Sequence, residues 1–222
     1  MPMPAADKRP KPEPEPRWPA LMAGLSAGVL FYLMPEPLIL GPRWLPLTLI
    51  AAMLLPATVF HYAGRHRLND IFGYSGLCVT TLALASSLAL LILRLPQHLD
   101  PPVELLRAAT ALWVSNVLVF ASWYWRLDSG GPNARDQRHT HRLGAFLFPQ
   151  MTLSEDSCRE LGQHPWNPGF VDYLFLAFNT STAFSPTDSP VLSRWAKIMM
   201  IVQSSISLAA IALIAARAVN IL

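Results

Sequence analysis

Charge is scarce in this sequence. Of 222 residues only 14% are Asp, Glu, Lys or Arg, against about a quarter in an ordinary soluble domain. Cysteine is nearly absent too. The two present, Cys78 in an apolar run and Cys158 in a polar stretch, exclude a disulfide framework and a cysteine metal set. No carboxylate pair, phosphate loop or acyl-transfer motif lies in the apolar runs, so neither enzyme nor cofactor is expected. A net charge of +3 comes without a basic stripe interleaved with aromatics, which argues against nucleic acid as a partner. The N-terminus lacks the apolar core of a signal peptide. Residues 1–17 read instead as an extended tail rich in Pro and charge.

What is abundant is apolar sequence, 52% of the chain with a mean hydropathy of +0.33. It comes in blocks near the roughly 20 residues that cross a ~30 Å hydrocarbon layer, with the charges between them. The expected fold is an all-α membrane protein of about five transmembrane helices plus a re-entrant half-helix before the last one. Spans are expected from Trp18 to about Leu33, ended by Pro35-Glu36-Pro37, from Trp44 to Ala63, from Ile71 to Leu95 and from Val103 to Trp125. They form a membrane region over 18–126. A polar loop over 127–169 follows, then a unit over 170–222 with a short apolar piece, Phe170 to Phe184, and a final helix from Ser193. Phe146-Leu147-Phe148-Pro149 in the loop is too short to cross and is expected in the headgroup interface.

With the N-terminus inside and the short piece returning to the same side, 13 of the 17 basic residues fall inside: four, two, five and two in successive segments. The positive-inside rule therefore favours a cytoplasmic N-terminus in a bacterial inner membrane, with lipids as the surrounding partner. If the short piece crosses fully the split is 12 to 5, so charge does not separate five spans from six.

Within the last unit, Asp172 to Phe178 form an apolar helix, followed by Thr180, Thr182, Ala183, Phe184, Ser185, Pro186, Thr187 and Asp188. Pro190 and Ser193-Arg194 then open the final helix. This run resembles the pore helix and filter of the tetrameric potassium-channel superfamily: an apolar pore helix, a Thr-x-Thr pair at Thr180 and Thr182, and an Asp closing the filter at Asp188. A family of uncharacterised bacterial integral membrane proteins is similar as well. It shares the Phe-rich pore-like helix, the Ser/Thr/Asp break, an Arg after it and a terminal Ala-Val-Asn-Ile. The resemblance implies a homo-oligomer, a tetramer by analogy, passing monovalent cations. It also implies a lining on the final helix, for which Gln203, Ser207, Ala210, Ile214 and Arg217 share one face by i+3 and i+4 steps.

The pattern departs where potassium selectivity is made. Filter glycines allow carbonyls to point inward, but here their positions hold Ser185 and Thr187, with Pro186 between them and Ala183 in place of the inner Thr. The resemblance therefore implies a wider, hydrated path, not a typical potassium filter. Orientation also conflicts, because potassium-channel pore hairpins face outside and charge turns this one inside. Without the resemblance, the same residues read as a capping turn. Ser189 or Ser193 would cap the final helix, Asp188 would complement its dipole, and the chain would be a non-conducting scaffold or accessory subunit.

Two further motifs carry less. Asp128-Ser129-Gly130-Gly131-Pro132 spells part of a serine-protease motif but follows a membrane helix, where Gly-Gly-Pro is a helix stop. His139-Thr140-His141, with Asp136 or Glu155, has a metal-ligand spacing, but Arg135, Arg138 and Arg142 oppose a cation there. The segment reads as a basic, phospholipid-facing loop, and no metal is expected.

Overall fold

A computed structural model describes residues 15–94, 101–137, 143–162, 166–182 and 189–219. These residues are mostly helical, with one isolated antiparallel bridge and, among them, no strand. The elements are α1 (Trp18–Tyr32), α2 (Trp44–Tyr62), α3 (His66–Arg94), α4 (Pro102–Leu127), the short α5 (Pro132–Asp136) and α6 (Glu155–Glu160), α7 (Phe170–Thr182) and α8 (Arg194–Val219). Four are long and apolar enough to cross a membrane: Trp44–Tyr62, His66–Arg94, Val103–Gly130 and Arg194–Ala216. The first helix has only 15 residues, about 22 Å at helical rise.

Local chemistry sets the limits. Proline at the first turn opens α1 and α4, where its missing N–H costs nothing. Beyond α4 the chain stops on three left-handed residues, Ser129 (φ 53°), Gly130 (φ 83°) and Gly131 (φ 87°), so the Gly-Gly pair is a helix stop as expected. A Cβ at Gly131 would also lie 2.7 Å from the Arg126 carbonyl oxygen. Ser193 caps α8, its Oγ accepting from the Ala196 N–H at 3.4 Å.

The surface is inverted relative to a soluble protein. Leu55, Val59, Leu82, Ile198, Ile201 and Leu208 are exposed, whereas Ser115, Asn116, Gln203 and Ser207 are buried. That arrangement suits an apolar surround, which offers polar groups no partner and leaves them to bond inside the bundle. At the centre is α4, with 61% of its apolar stretch buried against 17% in α2 and α8 and 28% in α3. Helices α1 to α3 pack on one side of it, α1 and α3 against α4 and α2 between them, and α7 and α8 pack on the other.

One end of the bundle, here the base, gathers the start of α1, the α2–α3 turn, the end of α4 and the starts of α7 and α8. There Phe146 inserts between helices, and it is not at an interface with headgroups: it is fully buried, with its ring 5.2 Å from Tyr124, 6.1 Å from Trp195 and 6.2 Å from Tyr173. Phe148 follows it in, 5.3 Å from Tyr173. Aromatic area of this size is worth more in the core than in the interface. Phe146 also bridges Val191, and Leu192 donates to the Ala145 carbonyl at 2.7 Å. The chain leading into α8 thus lies against the loop that follows α4.

Candidate functional site

Two polar constellations occupy this apolar frame, one at the base and one in mid-bundle. The basal one is organised by Glu15. Its Oε1 accepts from the Trp125 indole N–H and from the Phe170 backbone N–H, both at 2.7 Å, which ties the N-terminal segment to the ends of α4 and α7. Oε2 receives Arg17 and Arg135, each at 3.2 Å. Asp136 closes the group by accepting from the Glu15 N–H at 3.1 Å and from the Arg17 guanidinium. Arg17 also lies 5.4 Å over the Trp125 ring. Burial holds its guanidinium below the ordinary arginine range, while Asp136 and then Glu15 push it back up.

Asp128 extends the cluster under the loop. It is fully buried, and its two oxygens accept from the Ala145 N–H at 2.5 Å and the Tyr173 hydroxyl at 2.7 Å. Gly144 permits this closeness, since a Cβ there would sit 2.1 Å from Asp128 Oδ1. Arg135 spans the gap, donating to the Trp125 and Asp128 carbonyls at 2.8 and 3.0 Å with its charge 5.2 Å over the Tyr173 ring. Two arginines and three carboxylates thereby hold the start of α7 from three sides. Each buried charge has a partner, as burial requires.

The mid-bundle constellation contains the expected lining face of α8. Gln203 is fully buried and makes three hydrogen bonds. Its Nε2 donates to the Ala177 carbonyl at 2.7 Å and Ser181 Oγ at 2.8 Å, and its Oε1 accepts from the Tyr124 hydroxyl at 2.5 Å. Asn116 donates to Ser207 Oγ at 2.8 Å and to the Gln203 carbonyl at 3.1 Å. Ala210 is buried on the same face and Ile214 partly so. This face is therefore turned toward α4 and α7 within the chain. Arg217 belongs to α8, but its side chain lies outside the described residues.

Of the filter-like run, Thr180 is buried, donates to the Leu176 carbonyl at 2.8 Å, and lends its own carbonyl to Ser204 Oγ at 3.2 Å. Thr182 is exposed at the end of α7 and turns back onto the Phe178 carbonyl at 3.0 Å. Ala183, Phe184, Ser185, Pro186, Thr187 and Asp188 lie outside the described residues, as do His139 and His141. Among the described residues no cluster of His, Cys, Asp and Glu could hold a metal ion.

Of the residues expected from the sequence, Gln203 and Ser207 are linked through Asn116 of α4, while Thr180 reaches α8 only by its carbonyl, which accepts from Ser204. Glu15, Asp128, Arg135, Asp136 and Tyr173 were not chosen as a group. Asp136 and Arg135 carried one signal, acid beside base in an otherwise basic run; Glu15 carried none. Comparison with protein-family models, with curated proteins and with solved structures found no match to this chain.

Proposed function

We propose that this chain is a multi-pass protein of a bacterial inner membrane, with its N-terminus cytoplasmic, and that α7 is the half-helix of a re-entrant hairpin. The hairpin serves as the pore-like element of a homo-oligomer, passively permeable to hydrated cations and not selective for potassium in the usual way. One observation carries the reading. The start of α7 is bonded to Glu15 and the segment before α8 is paired with Phe146, both at the base. Between them stand 13 helical residues, about 20 Å, which is too little to cross ~30 Å and return by another route.

A helix that ends at mid-depth leaves carbonyls that hydrocarbon cannot satisfy. The stripe Val171, Phe175, Phe178 and Thr182 is exposed along α7. Identical subunits around an axis would cover that stripe and supply water or neighbouring donors to the helix end. Arg17, Arg65, Arg67, Arg135 and Arg194 all belong to basal segments, which supports a cytoplasmic base. In this reading α1 is the fifth span, its short helix matched by local bilayer thinning or flanking residues.

A second reading is favoured by the mid-bundle network. Gln203, Ser207 and Asn116 are bonded to each other and to α7 within one chain, as in a non-conducting scaffold or accessory subunit whose hairpin is structural. Reconstitution separates the two. The pore reading expects an oligomer, four subunits by analogy, and cation flux in liposomes reduced several-fold by Asp188→Asn. A monomer without flux establishes the scaffold reading.

A further inference from the structure

Helices α1 to α4 enclose a cavity of about 60 Å³ near the base, room for roughly four to six water-sized groups. Its two ends differ. Toward the base it is lined by Arg17, His61, Asn69 and Arg126; deeper in, by Leu21, Leu54 and Leu77. Among the described residues no carboxylate lines it. Three glycines, Gly24, Gly73 and Gly76, give the space its shape.

Arg126, in the last turn of α4, is the unusual feature. Arg126 is buried, its side chain 9% exposed, and its Nη1 has no hydrogen-bond partner. The Asp70 carboxylate oxygen paired with it is 3.7 Å away, beyond hydrogen-bond reach. The guanidinium is nevertheless held in place, 5.6 Å from both the Tyr74 and Trp125 rings. It crosses α3 where Gly73 leaves room, because a Cβ there would lie 1.9 Å from Arg126 Cζ. His61 Nδ1, on the same cavity, is also buried without a partner. Asn69 is committed elsewhere, donating to the Ala57 carbonyl and accepting from Asn133. A fixed, buried cation whose one carboxylate neighbour, the half-exposed Asp70, lies beyond hydrogen-bond reach keeps an unused donor, which is costly unless an anion completes it.

We propose that this cavity binds the phosphate group of an anionic ligand, with Arg126 and His61 as its donors. Planar guanidinium donors suit a tetrahedral oxyanion. A phosphate group alone fills a space of this size, so a phospholipid would leave its glycerol and acyl chains outside it, and a free phosphate offers the cationic end the same chemistry. The site is separate from the α7 hairpin and does not depend on the pore reading.

The test uses the full-length chain purified in detergent, with three probes: phosphatidylglycerol, phosphatidylcholine and inorganic phosphate. Native mass spectrometry counts bound lipid, and thermal unfolding gives half-saturation. Retention of one phosphatidylglycerol per chain in preference to phosphatidylcholine, with half-saturation weakened at least tenfold in Arg126→Gln and in His61→Gln, identifies a lipid headgroup site. A saturable shift with inorganic phosphate alone, weakened likewise, identifies a free oxyanion site. Either supports the proposal, and if Arg126→Gln does not fold, His61→Gln carries the comparison. Three results overturn it: no response of the wild-type chain to phosphatidylglycerol or phosphate, equal retention of phosphatidylcholine, or undiminished binding in the variants.

Discussion

Replacing Glu15 with alanine removes a carboxylate that receives four donors from four parts of the chain. Two of those donors have other partners. Arg17 keeps Asp136, and Arg135 keeps the Trp125 and Asp128 carbonyls. The Trp125 indole N–H and the Phe170 N–H lose the acceptor they share, and Glu15 is only 13% exposed, so water replaces it poorly. Each buried donor left unsatisfied costs about 1–3 kcal/mol, and breaking a buried charge cluster costs about 3–5 kcal/mol. The terms overlap, so we expect a loss of about 3–5 kcal/mol, a fall in melting temperature of roughly 10 °C for a chain of this size. Glu15→Gln keeps one acceptor and should lose about half as much. Thermal unfolding in detergent reads the whole effect. Hydrogen exchange across the first turn of α7 reads its location: the Phe170 amide should exchange at least tenfold faster in Glu15→Ala. A melting temperature within about 2 °C of wild type, with Phe170 exchange unchanged, refutes the idea that Glu15 clamps the half-helix.

Asp128→Asn should destabilise by about 2–3 kcal/mol, because an amide cannot accept from both the Ala145 N–H and the Tyr173 hydroxyl without turning its own N–H₂ on one of them; melting temperature checks it. Gln203→Leu should cost about 1–3 kcal/mol, given the modest worth of polar contacts between membrane helices, and raise proteolysis within α7, whose Ala177 carbonyl and Ser181 hydroxyl lose their donor. Gly73→Ala should displace the Arg126 guanidinium at a cost of about 1–3 kcal/mol. In a double-mutant cycle, Arg126→Gln should recover at least about 0.5 kcal/mol of that loss; strict additivity would mean the close approach is relaxed elsewhere.

Much of the frame was legible in the sequence. Prolines and charges bounded most of the helices to within a few residues: Pro35-Glu36-Pro37 follows α1, and the span expected from Val103 to Trp125 is α4, Pro102–Leu127. The third helix reaches further toward the base than its hydropathy suggested, because Asn69 and Asp70 sit in its first turns and bond to Asn133. The basal cluster was illegible for a physical reason. Its charged members lie in stretches that read as tail or loop, joined over separations such as the 155 residues from Glu15 to Phe170. Phe146 read as interfacial because a four-residue apolar piece carries no period to say what covers it. The α8 face was found but not its direction, since packing against α7 and lining a pore both require polar residues at i, i+4 and i+7.

Whether both flanks of α7 reach the same side of the membrane is the central question, and sided thiol labelling answers it. Single cysteines placed at Gly169 and Leu192, with Cys78 and Cys158 changed to Ser, are reacted with a membrane-impermeant maleimide in right-side-out and inverted vesicles. A re-entrant hairpin predicts that both positions label from the cytoplasmic side, together with a third cysteine placed at Arg65. Labelling of 169 and 192 from opposite sides would make this segment a crossing helix and remove the basis of the pore reading.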